Sequence, residues 1–215
     1  MDFYFSPLAC SMATRIALAE AGGMANMIEI DPANKKVLAT GEDYLAVNPL
    51  GLVPALRTDD GEVLTENAAI LQFIADRFPA AGLAPPASDA IGRARLQQWL
   101  CFIGTELHKG LFIPLFDPKA PEGTRAHTLN KYESRLRYLN DHLTGREYLL
   151  DRFSVADAYL YAVLNWTTPT RVDLGPWPAI KCYYESLQTR PSIASAFIEE
   201  MNLYKAELAR HKVAA

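Results

Sequence analysis

The chain has 215 residues, 50% of them hydrophobic and 21% charged, with a formal net charge of -4 and a sequence pI of about 5.6. A chain of this size buries roughly 70% of its unfolded surface and needs no disulfide staple to fold. The mild acidity offers no basic stripe, so no nucleic-acid partner is expected, and three widely spaced cysteines (Cys10, Cys101 and Cys182) point to free thiols in a reducing compartment.

The opening run Met1 to Phe5 lacks the basic region and apolar core of a signal peptide. The longest apolar run, Ala158 to Thr170, contains Asn165 and Pro169 and falls short of the roughly 20 residues a membrane span needs. The expectation is a cytoplasmic protein with no membrane partner. The aromatic run Asp2 to Phe5, closed by Pro7, predicts a strand, and Ser11 to Ala21 predicts a helix stopped by Gly22-Gly23. Met27 to Ile30 predicts a second strand, which completes a βαβ opening.

Cys10 falls between that strand and that helix. The positive end of a helix carries roughly half a unit of charge, which lowers a thiol pKa and favours the thiolate. The next residues, Ser11-Met12-Ala13, supply no second cysteine, so a reactive Cys10 would exchange with an external thiol. Position alone leaves a buried, inert cysteine as an equal reading.

A loop follows, ending in the turn Asn48-Pro49-Leu50-Gly51. Val53 to Arg57 and Glu62 to Thr65 predict a hairpin around Asp59-Asp60-Gly61. Pro54 is either a strand start or a cis proline, and the sequence leaves both open. Ala68 to Phe78 has amphipathic helical spacing. Thr65-Glu66-Asn67 at its head reads as capping, or as a site where the helix start takes a carboxylate and Glu66 an ammonium.

Pro79 to Ser88 has no periodicity and predicts a linker. The domains are then expected over residues 1–79 and 89–215, with the linker over 80–88. Beyond it helices are predicted over Asp89 to about Pro114, Glu122 to Leu143, Ser154 to Trp166, Pro176 to Gln188 and Ser192 to about Lys205. Cys101, Thr105 and His108 share one face of the first of these, although His108 taken alone reads as an ordinary structural histidine. His127, His142 and His211 lack metal-ligand spacing, so no metal is expected. Ser154-Val155-Ala156-Asp157 is a capping-box variant assigned to folding.

Five of these motifs, in order along nearly the whole chain, resemble the cytosolic glutathione transferases, most closely the bacterial beta class with an active-site cysteine. They are Ser6-Pro7-Leu8-Ala9-Cys10-Ser11, Asn48 to Leu56, Thr65 to Ile70, Thr105 to Gly110, and Phe153 to Ala158. The resemblance implies an α/β thioredoxin-like N-terminal domain packed on an all-α C-terminal domain, with glutathione as co-substrate. It makes Pro54 cis and leaves the Val53 backbone to pair with the cysteinyl part of glutathione. Glu66 and Asn67 would hold the γ-glutamyl end, Lys35 the glycyl carboxylate, and Cys10 would lie beside the sulfur with Thr105 and His108. Cys10 and His108 are the implied catalytic residues.

An apolar cleft lined by Pro7, Phe112, Phe116 and Trp166 is expected to take the second substrate. The implied activity is conjugation of the glutathione thiolate to small electrophiles in detoxification, with mixed-disulfide chemistry at Cys10 open to it. The alternatives are a glutathione-dependent thiol-disulfide reductase and a binding module without turnover. A homodimer is also implied. Three positions depart from the family pattern: Leu8 where Gly is common, Asn67 for Ser, and Cys101 for Asn.

Overall fold

The computed structural model describes residues 1–213, the last three by backbone alone, so the side chain of His211 lies outside the described residues. Strand β1 (Asp2–Phe5) is central because its aromatic residues are buried on both faces, Phe3 and Phe5 on one and Tyr4 on the other. Helix α1 (Met12–Ala21) follows. Its small residues let it pack closely, and Gly22 in the left-handed region ends it by donating its N–H to Ala19 and Leu18 carbonyls. Strand β2 (Asn26–Asp31) pairs parallel to β1, as a βαβ unit requires.

A two-residue edge strand, β3 (Lys36–Val37), pairs antiparallel with β2. A short 3₁₀ turn at Tyr44–Ala46 follows, and the hairpin β4 (Ala55–Arg57) and β5 (Val63–Thr65) adds to the far side of β1. The sheet order is β3-β2-β1-β4-β5. Helix α2 (Asn67–Arg77) lies beside α1, with Ile70, Leu71 and Ile74 fully buried. This mixed sheet with its helices is thioredoxin-like.

The rest is helical. Helix α3 (Ala90–Phe102) runs without a break into a π-helical stretch, Ile103–Phe112, and then into α4 (Ile113–Phe116). Helices α5 (Thr124–Leu143), α6 (Val155–Leu164), α7 (Thr167–Thr170), α8 (Pro178–Gln188) and α9 (Pro191–Val213) complete it. Helix α6 is buried at every position and is the centre of this half. It packs on α1, so one continuous core runs from Phe3 and Ile16 to Leu160 and Ile180. Among the described residues, no helix is long and apolar enough to cross a membrane, and no group of three or more metal-binding side chains is gathered.

Candidate functional site

A cavity of about 520 Å³ opens where the loops of the sheet meet the π-helical stretch. Cys10 forms part of its floor. Just before α1, Ser6 N–H donates to Ser11 Oγ at 3.3 Å, and the Ser11 hydroxyl donates to the Ser6 carbonyl at 3.1 Å. This turn leaves the Cys10 thiol donating to the Val53 carbonyl at 3.3 Å, with the residue 7% exposed. Burial pushes the thiol up to about 12, against the opposing pull of Lys109 and Asn67. Of the two readings the sequence left open at Cys10, this burial favours the protonated thiol for the protein by itself. Removing the group from water outweighs a partial helix charge.

Leu8, two residues earlier, has a left-handed backbone with φ of 56°. Both its polar groups are held from the helical half: its N–H donates to Glu200 Oε2 at 2.7 Å, and its carbonyl accepts the Trp166 indole N–H at 2.9 Å. Across the cavity the Val53-Pro54 peptide is cis, which decides the alternative the sequence left open. The turn before it is pinned at the Leu52 carbonyl, which accepts from Asn48 Nδ2 and from the Tyr44 hydroxyl, each at 2.7 Å. Gly51, at φ of 61°, lets the Lys35 side chain cross close above it, since a Cβ there would stand 3.0 Å from Lys35 Cδ. Lys35 reaches the cavity in this way.

At the head of α2, Glu66 sits exposed on the rim with φ of 67° and makes no capping bond with its side chain. Asn67 is buried. Its Nδ2 donates to the Cys10 carbonyl at 3.2 Å, and its Oδ1 has no partner. From the helical side come Cys101, Thr105, His108 and Lys109. The Thr105 hydroxyl donates to the Cys101 carbonyl at 3.0 Å. His108 is 6% exposed, edge-on to Trp166 at 4.9 Å, and burial lowers its pKa to about 4 with help from the neighbouring Lys109 charge. Its Nδ1 lies 2.8 Å from the Tyr159 hydroxyl.

All eight residues expected at a glutathione site line this one cavity. The four expected around a second substrate do not stay together. Trp166 lines this cavity and an adjoining one of about 540 Å³, which Pro7 and Phe116 line as well. Phe112 has no exposed surface and lines neither; it packs against Trp166 from the core, ring centroids 5.9 Å apart. Its place on the cleft wall is corrected to a place behind it. Tyr159 and Lys109 also line the main cavity and escaped the sequence reading. The two phenols of α6, Tyr159 and Tyr161, are the available signal, because a buried Tyr hydroxyl needs a partner, but the sequence does not say which of them faces the cavity.

The fold and this cleft define a two-domain protein with a thioredoxin-like half facing a helical half. Residues 9–77 match the family model of the glutathione S-transferase N-terminal domain, and residues 99–191 match that of the C-terminal domain. The chain belongs to the glutathione S-transferase family. It is 39% identical to glutathione S-transferase GstA of Escherichia coli O157:H7, over 93% of this chain and 98% of that one. Among solved structures, a sphingomonad glutathione S-transferase complexed with glutathione is 43% identical, with a TM-score of 0.87, covering 93% of this chain and 98% of its own. A beta class glutathione S-transferase of Sphingomonas chungbukensis is 40% identical, again with a TM-score of 0.87 and coverage of 93% and 98%.

Proposed function

We propose that the chain binds glutathione in the main cavity and conjugates its thiolate to small electrophiles held in the adjoining apolar one. The convergence of Cys10, Lys35, Val53, Pro54, Glu66, Asn67, Thr105 and His108 on one cleft carries this reading. In it the residues 1–79 form the glutathione-binding domain, 80–88 a linker and 89–215 the helical domain. Lys35 pairs with the glycyl carboxylate. Glu66, free on the rim, takes the γ-glutamyl ammonium, and the unpartnered Asn67 Oδ1 adds an acceptor beside it. The second substrate lies against Pro7, Phe116 and Trp166.

Cys10 acts as a donor beside the glutathione sulfur. A thiol pushed up to about 12 is protonated at neutral pH, and exchange requires the thiolate. This favours conjugation over thiol-disulfide reduction as the main activity. Hydrogen bonds to the bound sulfur lower its pKa from about 8.5 and raise the thiolate fraction. By likeness to its family the chain is assigned to the beta class, to a cytoplasmic homodimer and to detoxification.

Transferase turnover with a model chloronitrobenzene, measured beside reduction of a model disulfide, tests the assignment. Turnover only with the disulfide supports the reductase. Turnover with neither, while calorimetry still detects glutathione, supports a binding module. Glu66→Ala should lose a charge-assisted contact of about 1.5–3 kcal/mol, roughly a 10- to 150-fold weaker glutathione Kd. Unchanged affinity would remove Glu66 from the site.

A further inference from the structure

The His108 ring has a hydrogen-bond partner that takes no part in the chemistry proposed above. Tyr159 projects from α6, 4% exposed, onto the wall of the main cavity, and its hydroxyl stands 2.8 Å from His108 Nδ1. The geometry points to Tyr159 as the positioning residue for His108: its hydroxyl donates to Nδ1, which leaves the ring proton on Nε2 and turns that N–H toward the sulfur held beside Cys10. The inference rests on the reading of the cavity as a glutathione site.

A neutral imidazole has one N–H and one acceptor nitrogen. His108 is neutral, because burial and Lys109 lower its pKa to about 4. Tyr159 stays a phenol, because burial and the neighbouring Cys10 raise its pKa. If Nδ1 carried the proton, it would donate to the phenol oxygen and turn the phenol proton toward the neighbouring Asn67 amide, whose Oδ1 has no hydrogen-bond partner within reach. An unmet buried donor is costly. The reverse arrangement satisfies the phenol proton at Nδ1 and leaves Nε2–H for a ligand. Trp166 stands edge-on to the ring at 4.9 Å and bounds it on one side.

Through this pair the helical domain supplies a neutral donor to a developing thiolate. A neutral Nε2–H stabilises the anion by hydrogen bonding alone, and it does not titrate away between pH 5 and pH 8, because the ring is already neutral there. A carboxylate or backbone carbonyl accepts Nδ1–H and leaves Nε2 bare in other functional histidines; this phenol donates to Nδ1 and so fixes the opposite tautomer.

The test is Tyr159→Phe, which keeps the ring and removes only the hydroxyl. With it kcat should fall about 10-fold, while the glutathione Kd from calorimetry stays as in the parent. Nitrogen-15 NMR of His108 should show the parent protonated on Nε2 and the variant with a mixed or reversed tautomer. In a His108→Gln background, where the amide offers an N–H without a tautomer to fix, Tyr159→Phe should have no further effect on kcat. An equal loss of kcat in that background would overturn the proposal, as would a His108 signal that stays wholly on Nε2 in Tyr159→Phe. If the parent protein binds no glutathione, the reading of the cavity fails. The NMR comparison on the free protein still decides the tautomer link.

Discussion

At Cys10 two effects that the sequence could name oppose each other, and magnitudes decide between them. The helix start favours the thiolate by a fraction of a charge, and burial penalises it by much more, holding the thiol up to about 12. Burial therefore predicts a slow nucleophile at Cys10 in the free protein, although the residue lines a cavity. Iodoacetamide at pH 8 should alkylate the exposed Cys101 and Cys182 well before Cys10, with Cys10 labelling rising only as the pH approaches 12. Peptide mass spectrometry read over time checks the order, and first labelling at Cys10 would contradict it. Much of the site was legible for a physical reason. Cys10, Glu66 and Asn67 stand at element starts, where polar groups meet helix ends, and a one-dimensional reading finds such places. Tyr159 was hidden because its neighbours Val155 to Leu164 are a folding helix whose pattern predicts only burial. Lys109 stands four residues after Thr105, on the face the sequence already drew, and was passed over because an exposed lysine on a helix reads as a solvated surface residue.

The elements themselves followed periodicity closely where they are long and patterned, as in α1, α2 and α5. They departed from it where pairing or packing decides. Strand β3 is two residues of a loop captured by the edge of β2, and nothing local in Lys36-Val37 announces that. The capping box at the head of α6 was visible as Ser154 and Asp157, but its reach was not. The Ser154 N–H and hydroxyl both donate to Asp157 Oδ2 at 2.8 Å. The same carboxylate accepts the Leu149 N–H at 2.9 Å and the Tyr183 hydroxyl at 2.7 Å through Oδ1. Asp157 thus ties the loop before α6 and helix α8 to the start of the central helix, with no exposed surface. An ordinary lost cap costs about 0.5–2 kcal/mol. Asp157→Ala also strands buried donors at about 1–3 kcal/mol each, so its loss should exceed about 3 kcal/mol, while Ser154→Ala should stay near 1 kcal/mol. Urea unfolding of the two variants measures the gap. Equal losses would mean that Asp157 is only a cap.

At the scale of the molecule, the loop that carries Cys10 is stretched between two halves that α1 and α9 lace together. Arg15 on α1 is buried and pairs with Glu200 at 2.9 Å and Glu199 at 3.1 Å, and Glu200 in turn holds the Leu8 N–H two residues from Cys10. Nearer the start of α9, Arg190 forms a two-pronged pair with Glu20 at 2.6 and 2.7 Å, which Ser192 joins. The planar guanidinium suits such a pair, and partial burial shields it from solvent. Burial works to raise the Glu20 pKa, but the bonds from Arg190 and Ser192 prevail and hold it below its ordinary 4.5. The sign of the linkage follows. An acid whose folded pKa is depressed contributes stability above its unfolded pKa and loses that contribution as the pH falls through the folded value. The fastening of α9 to α1 should therefore be complete at neutral pH and weaken below about pH 4.5. Glu20→Gln removes the charge at every pH, so the variant should melt lower than the parent at pH 7 and converge with it in acid. Because α9 also carries Glu200, the weakening should reach the loop before Cys10, and glutathione affinity should fall with it in the variant at pH 7. Thermal melts of both proteins from pH 3 to pH 8 measure the first effect and calorimetry the second. A gap in melting temperature that stayed constant across that range would show that Glu20 contributes through packing and not through its charge.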